Sequence, residues 1–285
     1  MNMVRVGSRD AGPEATAERR QASQVPACIV ITGASSGLGA GLARSYAAAG
    51  RVLGLSGRNA SRLAEVADVC RQRGATVETA VLDVNDQTAV STWVLALDAA
   101  FSIDLLIANA GVSAGTGPDG HLEGIEAACQ VVHTNLLGVL HCVEPLLPRM
   151  IERGHGQIAV VASMAAYRGL PDSPAYCASK AGVLAYGEAL RGALERCGVQ
   201  VSVIVPGFFA SPMSARYMGQ KLFQVTEVQA VARVVAGLQR RARRIVFPRR
   251  LALLLRLADL LPAWCSDRII QGFRFHIAPR QDDRS

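Results

Sequence analysis

The stretch that decides the fold reads ACIVITGASSGLG, from Ala27 to Gly39. Its apolar start, Cys28 to Ile31, indicates a buried strand, and a helical pattern follows the glycines as far as Ala49. Gly33, Gly37 and Gly39 permit a tight turn and a close backbone approach, and the N-terminus of the helix presents free N–H groups. The stretch therefore predicts a phosphate-binding turn. An ordinary strand-to-helix turn is the alternative, because the spacing G-x3-G-x-G differs from G-x-G-x-x-G.

Short apolar segments alternate with helical patterns along the rest of the chain. The pattern indicates strands at 51–56, 76–82, 103–108, 157–162, 199–205 and 245–247, and helices at 60–73, 86–100, 122–152 and around 175–197. Such alternation predicts βαβ units and an α/β fold with a parallel sheet. Ligands bind at the carboxyl ends of strands in such sheets, and Asp83, Asn109 and Ser163 each follow a strand.

Composition limits the class of protein. The chain has 285 residues, a net charge of +7 and no nucleic-acid motif, so we expect no nucleic-acid partner. Seven scattered cysteines without a CxxC predict reduced thiols in the cytoplasm, and no spacing indicates a metal site. Residues 1–25 have no apolar period and are predicted to be a disordered extension. The folded domain is expected over residues 26–247, followed by an amphipathic helical tail over 248–285.

The end of the second strand indicates which dinucleotide the fold binds. This position faces the adenosine ribose, where an acidic residue would bind a free 2′-hydroxyl. The chain has Arg58 there and no acid until Glu65, which favours a 2′-phosphate and hence NADP(H) over NAD(H). A surface arginine without this role is the alternative.

The segment from Ser163 to Lys180 carries groups suited to proton transfer. Tyr176 and Lys180 are four residues apart, so on a helix they share a face. An ammonium close to the phenol is expected to lower its pKa towards the working pH. Ser163 follows a predicted strand and can hydrogen-bond the same substrate oxygen. These groups predict carbonyl reduction or alcohol oxidation, whereas a solvated Tyr-Lys pair is the alternative.

With these motifs in order, the chain resembles the short-chain dehydrogenases/reductases over residues 26–247. The motifs that carry the resemblance are the glycine segment, the turn at Asp83-Val84, Asn109-Ala110-Gly111, a tetrad, and the turn before Ser211. The resemblance implies a single Rossmann-like, doubly wound domain of three layers with about seven parallel strands. The implied catalytic residues are Asn135, Ser163, Tyr176 and Lys180. The implied cofactor-binding residues are Gly33, Ser35, Ser36, Gly37, Leu38, Gly39, Arg58, Asp83, Val84, Asn109, Ala110, Gly111, Tyr176, Lys180, Pro206, Gly207 and Ser211.

The resemblance also implies a division of labour. Tyr176 would be the general acid, Lys180 would lower its pKa and bind the nicotinamide ribose, Ser163 would orient the carbonyl, and Asn135 would hold a water. The implied substrate is a ketone or aldehyde, and homodimers or homotetramers are expected. An NADP(H)-binding regulator that keeps the fold without turnover is the alternative. Here Ser211 replaces a common threonine, and Ala162 precedes Ser163 where a serine is common.

Two regions leave their roles open. The apolar segment 208–218 suits either a mobile lid over an apolar substrate or an ordinary packed loop. From Arg240 to Arg256 there are seven arginines and no acid, beside a leucine-rich segment that ends near Trp264. This pattern is typical of a helix that lies on anionic lipid, so peripheral membrane contact is one hypothesis. A cover over a lipophilic-substrate pocket, or an oligomer contact, is the other.

Overall fold

A parallel sheet of seven strands organises the protein. The structure, a computed structural model, describes residues 26–271 and 275–278. The strands are β1 (Cys28–Thr32), β2 (Val52–Gly57), β3 (Thr76–Val81), β4 (Leu105–Ala108), β5 (Gly156–Val161), β6 (Val199–Pro206) and β8 (Arg244–Phe247). Their order, β3-β2-β1-β4-β5-β6-β8, reverses direction at β1, and all six pairings are parallel. This confirms the predicted Rossmann-like, doubly wound α/β architecture.

Helices cover both faces of the sheet. They are α1 (Gly37–Tyr46), α2 (Ala60–Gln72), α3 (Gln87–Phe101), α4 (Gly124–Val132), α5 (Gly138–Val143), α6 (Leu147–Arg153), α7 (Pro174–Ala193), α8 (Pro212–Ala215) and α9 (Glu227–Gln239). After β8 the chain forms α10 (Arg249–Asp259) and α11 (Ala263–Gln271).

The alternation of side chains along each strand builds a separate core on each face. In β1, Ile29 and Ile31 pack with α1, α2 and α9 on one face. Cys28 and Val30 point to the other face, where α3, α5 and α7 supply the apolar partners. Strands buried on both faces are expected to be apolar throughout, which is why the sequence showed them as continuous apolar runs.

The predicted helix at 122–152 is wrong as a single element. The helix α4 gives way to one π-helical stretch, His133–Leu137, before α5, and a turn then separates α5 from α6. Asn135 lies at the centre of the π-helical stretch. Helices of this type occur mainly as local bulges at functional sites, and their shifted hydrogen bonds leave no mark on the apolar period.

The region after β8 contains more than the predicted helical tail. A short ribbon joins β7 (Tyr217–Met218) to β9 (His276–Ile277) in antiparallel register. Within residues 26–271 and 275–278, no helix combines the length and hydropathy that a membrane crossing requires. All seven cysteines are free, and four of them are buried. The predicted extension at 1–25 lies outside the described residues.

Candidate active site

The glycine turn between β1 and α1 has the geometry of a cradle for a diphosphate. Gly33 and Gly37 have φ values of +67° and +51°, a region that residues with side chains rarely adopt. A Cβ on Gly33 would lie 2.8 Å from the Cα of Ala110, and a Cβ on Gly39 would meet the Gly33 carbonyl oxygen. Glycine is therefore required for the turn to pack against the end of β4 and against the start of α1. The residues therefore fit a dinucleotide at the N-terminus of α1.

Asn109 holds this cradle against the end of β4. Its Nδ2 atom donates to the carbonyl oxygens of Thr32 at 2.9 Å and Gly33 at 3.2 Å. The Thr32 hydroxyl accepts from the backbone N–H groups of Asn109 and Ala110, at 3.1 Å each. The structure thus places Asn109 as a clamp on the turn, and Gly111 passes close to the reacting end of the site.

The end of the site beside β2 and β3, where the sequence predicts the adenosine, is polar and carries two arginines. Arg58 follows β2 and lies 3.6 Å from a carboxylate oxygen of Asp83, and both side chains are more than one-third exposed. Such an exposed ion pair is weak, so it leaves Arg58 available to a phosphate. Arg62, one turn along α2, lines the same cavity and was missed in the sequence because it lies inside a helix.

Ser163 and Tyr176 meet at the reacting end. Ser163 follows β5, and its side chain hydrogen-bonds the Tyr176 phenol at the start of α7. Ser173 and Pro174 begin this helix, which fixes the backbone just before the tyrosine. Burial raises the pKa of the Tyr176 phenol, and the hydrogen bond to Ser163 opposes that effect. The phenol is therefore protonated at neutral pH, as an acid must be.

Lys180 lies beside the Tyr176 ring and is buried. Its Nζ atom lies 5.9 Å from the centroid of the Tyr176 ring and donates to the Val161 carbonyl oxygen at 2.8 Å. Burial lowers the pKa of Lys180 to about 8. Burial outweighs the effects that lower the pKa of Tyr176, so this pKa is raised overall, and the lowering contribution expected from Lys180 stays a prediction. The i,i+4 spacing gave the proximity correctly but carried no information on burial.

Asn135 is fully buried and its side chain is engaged by the protein. Its Oδ1 atom accepts from the Val112 N–H at 2.7 Å, and its Nδ2 atom donates to the Val112 carbonyl at 2.9 Å and to Ser179 Oγ at 3.0 Å. Ser179 Oγ in turn donates to the Tyr176 carbonyl oxygen at 2.8 Å. Both amide hydrogens are thus used within the protein, so the Asn135 side chain ties α7 to the loop after β4, and its expected role in holding a water stays a prediction.

One cavity of about 1350 Å³ joins these groups. Of the predicted site residues, all line it except Gly39, which supports the turn, and Asn135. Ser211 also begins α8, where its hydroxyl accepts from the Ser214 N–H at 3.1 Å. Gly207 binds back to β8 through the Phe247 carbonyl at 2.7 Å. The structure therefore brings the predicted catalytic and cofactor residues to one edge of the sheet.

The far end of the cavity is apolar and comes mostly from the end of the chain. Phe208, Phe209, Met213 and Tyr217 line one side, so segment 208–218 is a packed wall that includes a short helix and a strand. Further apolar lining residues come from α10 and the part of the chain after it, which the sequence left with an open role. These are Leu251, Leu254, Leu255, Leu257, Ala258, Leu261, Phe275 and Ile277.

Two residues of the loop before Tyr176, Arg168 and Asp172, hydrogen-bond to this C-terminal wall. Arg168 donates to Ser266 Oγ at 2.8 Å and is bonded to the Asp267 carboxylate. Asp172 accepts from the Phe275 N–H at 3.0 Å, and the Phe275 ring stacks on Tyr217 with centroids 4.1 Å apart. The loop that leads into the reacting end therefore also positions the substrate end. Across residues 26–271 and 275–278, no cluster of three or more potential metal ligands occurs.

The model of the short chain dehydrogenase family matches residues 27–221. The chain belongs to this family. An uncharacterized oxidoreductase of Myxococcus xanthus is similar to it, with 37% identity over 238 residues that cover 82% of this chain and 92% of that protein. The protein is thus an oxidoreductase of the short-chain dehydrogenase/reductase family, and the family's members act on small molecules and typically form oligomers.

Solved structures agree with this assignment. Levodione reductase is 28% identical, with a TM-score of 0.67 over 74% of this chain and 90% of that one. Two dehydrogenases share the fold at lower identity, each over 87% of this chain. One, from Burkholderia phymatum, contains NAD (24% identity, TM-score 0.73, 95% of that chain covered). The other, from Sphingobium yanoikuyae, contains NADPH (23%, 0.72, 96%). These two neighbours show that the fold is shared, and one of them holds NAD while the other holds NADPH.

Proposed function

We propose that this protein is an NADP(H)-dependent reductase of a lipophilic ketone or aldehyde. The observation that carries the proposal is the hydrogen-bonded pair of Ser163 and Tyr176, which lies between the glycine turn and an apolar chamber of the same cavity. A proton donor in this position faces a substrate from one side and a dinucleotide from the other. The same site would run in reverse as an alcohol dehydrogenase.

The reaction needs one proton and one hydride. The cofactor, when bound, supplies the hydride to the carbonyl carbon. Tyr176 donates its phenolic proton to the carbonyl oxygen as the C–O bond becomes that of an alcohol, and Ser163 donates a hydrogen bond to the same oxygen. Lys180 binds the nicotinamide ribose and stabilises the phenolate that the step leaves behind. Asn135 acts through Ser179 and Val112 by fixing the start of α7.

Two arginines support the preference for NADP(H). Arg58 and Arg62 line the adenosine end, and within the cavity lining Asp83 is the only carboxylate. Asp83 follows β3, whereas the acid that binds the 2′,3′-diol of NAD is expected at the end of β2, where this chain has Arg58. A 2′-phosphate there would gain charge-assisted hydrogen bonds from the guanidinium groups.

The apolar wall supports a lipophilic substrate. Leucines from α10, together with Phe208, Phe209 and Tyr217, surround the space beyond Tyr176. A small polar carbonyl compound would leave this apolar area in contact with water, whereas a long or bulky ketone would bury it, at about 25 cal/mol per Å². We also propose that the protein assembles as a homodimer or homotetramer.

A cofactor titration followed by a substrate series tests the proposal. NADPH and NADH are each titrated against the protein, and NADPH oxidation is then measured with ketones of increasing chain length. We expect tighter binding of NADPH and a kcat/KM that rises along the series. Tight NADPH binding without turnover on any ketone would instead support the regulator that keeps the fold without the chemistry.

A further inference from the structure

An exposed apolar surface surrounds the mouth of the substrate chamber. Five leucines and one tryptophan of the C-terminal region form it, and we call it the tail patch. Their exposures are 60% for Leu253, 55% for Leu254, 52% for Leu257, 82% for Leu260, 43% for Leu261 and 74% for Trp264. Scattered apolar residues on a surface are ordinary, but six exposed ones within twelve positions of α10, α11 and the turn between them are a concentration typical of an interaction site.

The patch is continuous with the interior of the site. Leu254, Leu257 and Leu261 line the cavity and are also about half exposed. The same side chains thus form the inner wall of the chamber and the outer surface, so the chamber opens through the patch. Leu253, Leu260 and Trp264 extend the apolar surface outward without lining the cavity.

Basic side chains accompany the patch. Arg249 and Arg250 are exposed at the start of α10. From Arg249 to Arg268 the sequence has four arginines and two aspartates, and one of these, Asp267, is bonded to Arg168. Arg256 has a separate role, since its guanidinium lies over the Tyr167 ring at 4.6 Å. The surface around the patch is therefore positive, which complements an anionic partner.

We propose that the tail patch docks on an anionic lipid surface, and that the lipophilic carbonyl substrate enters the chamber from the lipid through the gap beside Leu254, Leu257 and Leu261. This inference rests on the proposed function for its substrate. A helix with exposed leucines, a tryptophan at one end and arginines beside them is suited to lie in the interface of a bilayer. A second copy of the chain on the same patch would cover the mouth of the chamber, whereas lipid leaves a path for an apolar substrate.

Vesicle binding by the full chain tests the docking. Vesicles of phosphatidylcholine alone are compared with vesicles that also contain phosphatidylglycerol, by sedimentation at several salt concentrations. We expect at least tenfold tighter binding to the anionic vesicles at low salt, lost at high salt because exposed charges are screened. An R249Q/R250Q variant should lose most of the difference between the two vesicle types. The proposal is overturned if the wild type and R249Q/R250Q bind both types of vesicle equally well, or if the wild type binds neither type.

Tryptophan fluorescence gives a readout that does not depend on activity. The chain has two tryptophans, and Trp93 packs against the core while Trp264 is exposed. Transfer of Trp264 into the lipid interface should shift the emission to shorter wavelength on addition of anionic vesicles. The W264F variant should show no such shift. A shift that persists in W264F, or the lack of one in the wild type despite sedimentation, contradicts docking through this patch.

A matched pair of double variants tests whether vesicle binding depends on the tail patch or on exposed apolar side chains in general. In L253S/L260S the two leucines that lie outside the cavity lining are made polar, and V81S/V228S removes two apolar side chains that are 60% and 78% exposed elsewhere. We expect L253S/L260S to bind anionic vesicles at least tenfold more weakly and V81S/V228S to bind as the wild type does. Equal binding by all three proteins overturns the proposal.

Two controls keep failures distinguishable. NADPH titration and the reduction of a small water-soluble ketone, both without lipid, should be unchanged in L253S/L260S. If the wild type neither binds NADPH nor reduces any ketone of the chain-length series while vesicle binding holds, the proposed reaction is wrong and the docking stands. If the wild type does not bind vesicles and L253S/L260S has a lower mass by sedimentation equilibrium, the patch is a contact between copies and the lipid proposal is overturned.

Discussion

The Nζ atom of Lys180 donates to the backbone carbonyl oxygen of Val161 at 2.8 Å, so the lysine of the predicted catalytic pair is fastened to the end of β5. Lys180 is 4% exposed, and burial lowers its pKa from 10.5 to about 8. Keeping a charged ammonium at this position therefore costs folding stability near neutral pH. This loss of folding stability occurs at a site where the proposed mechanism requires a cation beside Tyr176.

This relationship predicts a pH-dependent effect of K180M on stability. Between pH 8 and 10.5 the unfolded chain binds the lysine proton and the folded chain does not, so the penalty in the wild type falls as pH rises. At pH 7, K180M should have the larger free energy of unfolding, and this advantage should shrink by on the order of 3 kcal/mol by pH 10.5. Urea denaturation at both pH values measures it.

The control for that measurement is K221M, which alters the chain's second lysine. Comparing each variant with the wild type at the same pH removes the contributions of other buried groups, such as Cys28 and Tyr46, whose pKa values are raised to about 12. If the difference between K180M and the wild type stays constant from pH 7 to 10.5, Lys180 is not the buried cation described above.

Arg58 and Arg62 should divide the recognition of the 2′-phosphate. Loss of one charge-assisted contact costs about 1.5–3 kcal/mol, so R58D should weaken NADPH binding by roughly 10–100-fold and shift the preference towards NADH. R62Q should give a smaller change in the same direction. The dissociation constants for NADPH and for NADH are measured by titration. The control R240D makes the same change of charge at a residue outside the cavity lining. If the ratio of the NADPH and NADH dissociation constants is unchanged in both R58D and R62Q, another group binds the 2′-phosphate.

Arg168 should affect substrate binding without affecting the cofactor. The R168A variant loses the bonds to Ser266 and Asp267 that hold the C-terminal wall. Loss of such a hydrogen-bonded pair costs about 1–2 kcal/mol, so KM for a long apolar ketone should rise about tenfold while the NADPH dissociation constant stays the same. The control R243A removes an exposed ion pair with Glu195, whose oxygen lies 3.9 Å away. Equal KM values in R168A and R243A would mean that the wall keeps its place without Arg168.

The sequence predicted the sheet and most of the site because both follow from local patterns. Buried strands in a parallel sheet are apolar throughout, and the glycine turn, Asn109, Ser163 and the Tyr176–Lys180 pair each lie at the carboxyl end of a strand or at the start of the helix after it. The carboxyl ends of parallel strands lie at one edge of the sheet. The order of strands and helices along the chain is therefore enough to predict that residues more than a hundred positions apart come together there.

The features that the sequence missed depend on contacts distant in the chain. Leucines at 251, 253, 254, 255 and 257 leave α10 with apolar residues on most of its circumference, so the period could not tell which face lines the chamber. The hydrogen bonds from Arg168 and Asp172 to Ser266, Asp267 and Phe275 join parts of the chain that are about a hundred positions apart. The raised pKa of Tyr176 reflects burial by the whole site, whereas the spacing to Lys180 reports proximity alone.

The central claim is that the Tyr176 phenol transfers the proton, and Y176F tests it most directly. This variant removes a single hydroxyl, so the measurement is the rate of NADPH oxidation with the best ketone of the series, alongside NADPH titration of both proteins. The account predicts NADPH binding close to that of the wild type and a kcat lower by at least about 10²-fold, the usual contribution of a general acid. A Y176F variant that binds NADPH and keeps full turnover would contradict it.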